Sequence, residues 1–133
     1  DNKTYNKKYN CSHSSSNSRN CFLQNFTIFG SSTIPTAFTV PASSSVTVFE
    51  NFTCNHNKTL IQFVYSATSA APVTLTVSSF NSRNPVLLTL TPGDARTILL
   101  EDVQNVVFSN PSPTAATFDS LFIQQTTCIC CND

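Results

Sequence analysis

Six cysteines offer the clearest chemistry in this 133-residue chain. They stand at Cys11, Cys21, Cys54, Cys128, Cys130 and Cys131. An even number of cysteines in a chain of otherwise extracellular composition predicts disulfides. A domain of this length can bury a core of its own and does not need three internal staples to fold. The cysteines are therefore expected to serve more than the stability of one domain.

Three of these thiols, Cys128, Cys130 and Cys131, lie within four residues near the C-terminus. A bridge between the neighbours Cys130 and Cys131 would strain the peptide that joins them, and an extended tail directs their side chains to opposite sides. They therefore reach two different partners. Together with Cys11, far away in the sequence, this clustering favours bonds between chains, and three bridges inside one chain are the alternative.

Other chemistries fit the sequence less well. His13 and His56 each follow a cysteine at the spacing Cys-x-His, but no base, nucleophile and orienting group can be assembled around them. Zinc sites more often use Cys-x₂₋₄-Cys, and the run Cys-x-Cys-Cys fits that spacing poorly. Glu101 and Asp102 are adjacent, so a strand would point them to opposite faces. We expect no enzyme, no cofactor and no catalytic, cofactor-binding or metal-binding residue.

The charge balance excludes electrostatic partners. Charged residues make up only 11% of the chain, seven basic and seven acidic side chains cancel, and the pI is near 6.9. Such a surface would not neutralise nucleic-acid phosphates or hold an anionic membrane. No apolar stretch is long enough to span a bilayer. Zero net charge instead favours association between copies, because self-repulsion is absent.

The chain divides into three predicted regions. Residues 1–20 contain no aliphatic residue and three of the four lysines, so this segment cannot bury a face and is expected to be a flexible arm. Residues 21–127 form the predicted domain. Residues 128–133 are a cysteine-rich tail.

Alternating apolar residues in the predicted domain indicate strands, most clearly in Leu60–Ala67 and Val73–Ser79. Further strands are predicted at Cys21–Phe29, Ile34–Val40, Val46–Phe52, Val86–Thr91, Arg96–Glu101, Val106–Ser109 and Thr117–Thr127. Eight or nine short strands with frequent turns predict an all-β, antiparallel jelly-roll sandwich. Its core should contain Phe22, Phe38, Val48, Phe63, Leu75, Val77, Leu88, Leu90, Ile98, Leu100, Val107, Phe118 and Ile123.

An internal echo supports two Greek keys. Pro41 and Pro92 each precede four turn residues, a short strand and a glutamate, Glu50 and Glu101 respectively. Each proline would end one strand, and each turn would start the next. The segment Pro92-Gly-Asp also fits a turn with proline at its first central position and glycine at its second.

These features together resemble the endospore appendage subunits of spore-forming Firmicutes, the pilus-like fibres on spores of the Bacillus cereus type. The residues that carry the resemblance are the Ser/Thr/Asn-rich composition, the cysteine-bearing arm, the run TILLEDVQNVVF after the PGD turn, and a late strand that ends in cysteines. The resemblance implies that Cys11 is a connector thiol and that Cys21, Cys54 and Cys128 are its partners on strands. The adjacent pair Cys130–Cys131 departs from the family, whose paired cysteines lie in the N-terminal connector, so either terminus could be the connector here.

The resemblance implies a structural subunit that self-assembles by β-sheet augmentation into an extracellular fibre on the spore surface. All six cysteines are then expected to take part in inter-subunit disulfides, and the partner is the chain itself, with other spore-surface proteins as further candidates. The alternative is a secreted, monomeric β-sandwich that binds a glycan or surface ligand and whose disulfides are intramolecular.

Overall fold

A computed structural model describes the backbone of residues 20–30 and 36–131, and the side chains of residues 23–30 and 36–127. The predicted flexibility of residues 1–20 concerns a segment that, except for Asn20, lies outside this part. The described residues form nine strands: β1 (Asn20–Phe29), β2 (Phe38–Val40), β3 (Ser44–Glu50), β4 (Asn57–Tyr65), β5 (Val73–Ser79), β6 (Val86–Leu90), β7 (Ala95–Glu101), β8 (Val103–Asn110) and β9 (Ala116–Cys131). The predicted all-β class is confirmed.

The nine strands form two antiparallel sheets. One has the order β1-β9-β4-β7, with β2 also pairing with β9, and the other has the order β3-β8-β5-β6. The pairs β2 with β9, β3 with β8, β4 with β7 and β5 with β6 are nested, as in a long hairpin rolled around a sandwich. This nesting is the jelly-roll topology.

The core lies between the two sheets and is built by strict alternation. Along β4, Ile61, Phe63 and Tyr65 point inward, and along β5, Val73, Leu75 and Val77 do so. Phe118 on β9 is fully buried at the centre of an aromatic cluster. Its ring centroid is 4.7 Å from that of Tyr65, 5.0 Å from Phe108 and 5.9 Å from Phe63. Such aromatic contacts supply much of the burial in a small core.

The predicted core residues are mostly inward. Phe63, Leu75, Val77, Leu90, Phe118 and Ile123 are buried, and Phe38, Val48, Leu88, Ile98 and Leu100 pack partly buried against them. The prediction that Val107 faces the core is wrong, because its neighbours Val106 and Phe108 are buried and Val107 is not. Three apolar residues in succession carry no period-two phase, so the sequence did not decide which of them faces inward. The side chain of Phe22 lies outside the described set.

The predicted strands all occur where their residues can be described, with shifted ends. β3, β4 and β8 begin two or three residues earlier than predicted, and β9 continues to Cys131. Residues 31–35, which include the predicted start of the second strand, are outside the described backbone. Polar residues at strand ends conceal these extensions, because they break the apolar alternation while still pairing through the main chain.

The internal echo corresponds to two similar pieces of chain. β3 and β7 each follow a tight turn, are seven residues long and end at a glutamate. In the second turn the Asp94 N–H donates to the Thr91 carbonyl at 3.0 Å, and Gly93 has φ 95°. A positive φ at the second central position defines a type II turn, which glycine adopts without strain.

Candidate functional site

Five of the six cysteines lie at one end of the sheet that contains β9. In the β1–β9 ladder Cys21 pairs with Cys130, Leu23 with Cys128 and Asn20 with Cys131. On the other side of β9, Asn57 at the start of β4 pairs with Thr127, and Cys54 precedes Asn57 by three residues. We call this end of the sandwich the cysteine pole. Cys11 lies outside the described residues.

Cys54 belongs to the loop of residues 51–56, which crosses the cysteine pole between β3 and β4. Its side chain is 6% exposed, its φ is 59°, and it is disulfide-bonded. At the start of the loop the Asn51 carboxamide oxygen accepts hydrogen bonds from the backbone N–H and the hydroxyl of Thr53, at 2.8 and 2.6 Å. The loop is therefore fixed at both its first residues and its cysteine.

The interior below this loop is polar. Gln125 donates from Nε2 to the Thr59 hydroxyl at 3.0 Å, and that hydroxyl donates to Asn57 Oδ1 at 2.8 Å. Thr127 donates to Gln125 Oε1 at 3.3 Å. All four residues are buried, so the apolar core ends before the cysteine pole. Buried polar groups are costly unless paired, and this network pairs them.

Asp102 ties three segments together at the same pole. Its Oδ1 atom accepts hydrogen bonds from His56 Nδ1 at 3.1 Å and from the Asn57 backbone N–H at 3.2 Å, and its Oδ2 atom accepts one from the Asn81 carboxamide. Asp102 has φ 54° and lies between β7 and β8, outside any strand. The sequence analysis ended the seventh strand at Glu101, and the structure likewise has Asp102 just after that strand. Aspartate tolerates the left-handed conformation better than most residues, and this permits the turn.

A groove of about 480 Å³ opens on the same pole. Its lining comes from β1, β4, β7, β9 and the loops before β4 and after β7: Leu23, His56, Asn57, Lys58, Glu101, Asp102 and Thr126. It combines one exposed apolar side chain with groups of both charge signs. Within the described part, no group of three or more His, Cys, Asp or Glu side chains could hold a metal ion.

Exposed apolar side chains concentrate on the edge strands. Among the described residues, the exposed large hydrophobic side chains are Leu23 and Phe26 on β1, Val86 and Leu87 on β6, Leu99 on β7, and Phe52 in the loop of residues 51–56. β1 and β6 contain no charged residue at all. Natural proteins usually protect a sheet edge with lysine, proline or a bulge, because its unpaired N–H and C=O groups otherwise accept another chain. β1 has a bulge between Thr27 and Phe29, but neither β1 nor β6 carries a charge, and among the described residues no strand pairs with the outer side of either.

The sequence analysis found the cysteines but not these edges. Leu23, Leu87 and Leu99 were not among the predicted core residues, but only the strand order places their strands at the edges of the sheets. The inner strands β5 and β8 also lack charged residues, so the absence of charge does not by itself indicate an edge strand in the sequence. Within the described residues, 20–30 and 36–131, no helix has the length and hydropathy needed to cross a bilayer.

A second groove, of about 460 Å³, lies at the opposite end of the sandwich. Hydroxyl groups dominate its lining: Ser43, Ser44, Ser45, Thr74, Ser109, Asn110 and Pro111. Ser45 donates to the Ser109 hydroxyl at 2.9 Å. No charged side chain lines it.

The fold is found in a solved structure. The chain resembles a subunit described in the work "Bacillus endospore appendages form a novel family of disulfide-linked pili", with a TM-score of 0.58 and 14% sequence identity. The match covers 86% of this chain and 95% of the other. At this identity the likeness establishes a common fold. No protein-family model and no curated protein matches the sequence.

Proposed function

We propose that this chain is a structural, non-enzymatic subunit that self-assembles through its sheet edges into an extracellular fibre. The observation that carries the proposal is the pair of uncharged edge strands, β1 and β6, with Leu23 and Leu87 exposed on them by 73% and 63%. A monomer gains nothing from exposing such edges, because they are templates for aggregation. A subunit that adds its edge to the sheet of a neighbour pairs the free main-chain groups and covers the apolar side chains.

The cysteine pole supports the covalent part of the proposal. It gathers five cysteines at one end of the sandwich, and the sixth, Cys11, precedes β1 by nine residues. We propose that Cys11 and one or more of Cys128, Cys130 and Cys131 bond between subunits. Release of a subunit would then need broken covalent bonds, so the resistance of the fibre would be kinetic.

The shared fold supports the setting. The similar structure is a subunit of disulfide-linked pili on Bacillus endospores. By analogy, we propose that the fibre formed by this chain is a spore-surface appendage, and that other spore-surface proteins are further candidate partners. An oxidising exterior would preserve its disulfides.

A charge placed on an edge strand tests the assembly. Leu87→Lys puts an ammonium group on β6, and Gln62→Lys is the matched control, because residue 62 is exposed on the inner strand β4. Electron microscopy of the purified variants is the measurement. We expect fibres from Gln62→Lys and few or none from Leu87→Lys, and normal fibres from Leu87→Lys would contradict the role of β6.

The alternative function is a secreted, monomeric binding module for a neutral glycan or surface ligand. The hydroxyl-lined groove at Ser45 and Ser109 is the observation that favours it, because hydroxyls both donate and accept hydrogen bonds without charge. Electrophoresis separates the two functions. Material that forms ladders without reductant and collapses with thiol and heat supports the fibre, whereas a monomer under both conditions supports the binding module.

A further inference from the structure

The backbone register places two cysteines face to face within one chain. Cys21 is directly opposite Cys130 in the β1–β9 ladder, whereas Cys128 is opposite Leu23 and Cys131 opposite Asn20. Directly opposed residues of an antiparallel pair have Cα atoms about 4.5–5.5 Å apart. Disulfides span Cα separations of about 4.4–6.8 Å. We propose that Cys21 and Cys130 form a disulfide within the chain and thereby fix β1 to β9.

The weak attachment of β1 gives this bond a purpose. All five residues from 23 to 27 are exposed, so this part of the strand buries little apolar surface. It is held by its main-chain ladder with β9 and by the Thr126 hydroxyl, which donates to Asn25 Oδ1 at 2.7 Å. Hydrogen bonds at an exposed edge exchange with water and contribute little net free energy. A covalent bond would hold residues 23–27 of β1 to β9, because side-chain packing contributes little there.

The position of the bond determines what it protects. Cys21 and Cys130 form the second pair of the ladder, at the end where residues 1–19 join β1. If Cys11 bonds to another subunit, any tension along the fibre enters the domain at this point and pulls β1 away from β9 pair by pair. A disulfide at the second pair stops that opening before the rest of the ladder is loaded. This consequence rests on the proposed function, whereas the bond itself does not.

The bond forms by ordinary thiol–disulfide exchange. The thiols of Cys21 and Cys130 lose two protons and two electrons as the sulfur–sulfur bond forms. A small-molecule disulfide outside the protein accepts the electrons and protons and leaves as two thiols. The reaction passes through a mixed disulfide between that oxidant and one of the two cysteines.

The proposal changes the expected use of the six cysteines. Cys54 is already disulfide-bonded. With Cys21 and Cys130 bonded to each other, the partner of Cys54 is one of Cys11, Cys128 and Cys131, and two cysteines remain for bonds between subunits. This assignment departs from the expectation that all six link subunits.

Peptide mapping without reductant tests the bond. Equal amounts of ¹⁵N-labelled and unlabelled chain are assembled together with an oxidised and reduced small-molecule thiol couple, then digested. We expect the Cys21–Cys130 peptide pair only as fully labelled or fully unlabelled species. A mixed-label Cys21–Cys130 pair, a Cys54–Cys130 pair or a free Cys21 thiol would overturn the inference.

The same map separates this inference from the proposed function. A Cys21–Cys130 pair without mixed labels, together with no mixed-label peptide anywhere, would uphold the bond and reject covalent linkage between subunits. A mixed-label Cys21–Cys130 pair would reject the bond within the chain and support linkage between subunits.

Hydrogen exchange measures the mechanical role directly. In Cys21→Ser and Cys130→Ser we expect the amides of residues 23–27 to exchange about tenfold faster, as a loss of about 1.4 kcal/mol of opening free energy would produce. The double variant Cys21→Ser/Cys130→Ser is the control, since each single variant already breaks the bond, and it should exchange no faster than either single variant. Unchanged rates in Cys21→Ser would overturn the role of the bond.

Discussion

β9 pairs with three strands, and two of them, β4 and β1, differ sharply in how much of their surface is buried. On one side, β4 alternates strictly between buried and exposed residues and contributes Ile61 and Phe63 to the core. On the other side, β1 pairs with β9 over nine positions, yet its residues 23–27 are all exposed. The pairing of β9 with β4 therefore contributes to the core, whereas its pairing with β1 leaves exposed residues at the edge of the sheet.

This difference separates folding from assembly. β4 is placed by burial, which is the dominant favourable term in folding. Residues 23–27 of β1 are placed by main-chain pairing, which contributes less because water satisfies the same groups in the unfolded chain, whereas Ile28 and Phe29 at the end of β1 pack against the core. A substitution on β4 should therefore affect the stability of the domain, and a substitution within residues 23–27 should affect contacts between domains.

Phe63→Ala should have the largest effect on stability. Phe63 is 1% exposed, and its ring meets that of Phe118 edge to face. Its loss should lower the free energy of unfolding by about 3–5 kcal/mol, measured by denaturant titration. The matched change on β1, Leu23→Ala, should alter it by no more than about 0.5 kcal/mol. Equal losses of unfolding free energy in the two variants would contradict the difference between β4 and β1.

Two asparagines extend the comparison to polar residues. Asn57 on β4 is buried, donates from Nδ2 to the Val103 carbonyl at 3.2 Å and accepts at Oδ1 from the Val103 N–H at 3.1 Å. Asn57→Ala leaves both groups buried and unpaired and should cost about 1–3 kcal/mol. Asn25→Ala on β1 removes a contact at an exposed edge and should cost less than about 0.5 kcal/mol. Thermal unfolding under reducing conditions compares the two, and a larger loss at Asn25 would contradict the account.

The smallest expected effect lies at the other end of β4, where the Asp94 carbonyl accepts from the Tyr65 N–H at 2.8 Å. A hydrogen bond from the Thr91 backbone N–H lowers the pKa of the exposed Asp94 carboxyl, and Arg96 nearby lowers it further. A lowered folded-state pKa stabilises the fold above the unfolded pKa of aspartate, and this stabilisation is lost as pH falls through the folded value. Asp94→Asn should therefore unfold slightly more easily at neutral pH and match the parent at strongly acidic pH. A difference that grows on acidification would contradict this sign.

The sequence was sufficient for the β-sheet class, the jelly roll and most of the core. Period two is a local signal, so runs such as Val73–Ser79 reveal their strand and its inward face directly. The two turns after Pro41 and Pro92 could also be predicted, because proline fixes φ locally and Gly93 permits the positive φ that the second turn requires. Val107 failed because three consecutive apolar residues leave the phase undecided.

The pairing of strands could not be derived in the same way. Cys21 and Cys130 lie 109 positions apart in the sequence, and no local sequence pattern indicates that they are directly opposite each other in paired strands. Leu23 and Leu87 were not predicted to be buried, but only the strand order places their strands at the edges of the sheets. The hydrogen bonds of Asp102 with Asn57 and Asn81 join residues that are remote in the chain, so no local pattern indicates them. Register and edge position are properties of the assembled sheets.

Electrophoresis of the purified, assembled chain tests the central claim most directly. The chain is denatured by detergent with free thiols blocked, and one half is treated with reductant and heat. The account predicts a ladder of covalent multimers, or material too large to enter the gel, that collapses to a single 14.5 kDa species only after reduction. A single monomer band in both halves would contradict the claim that subunits are joined by disulfides.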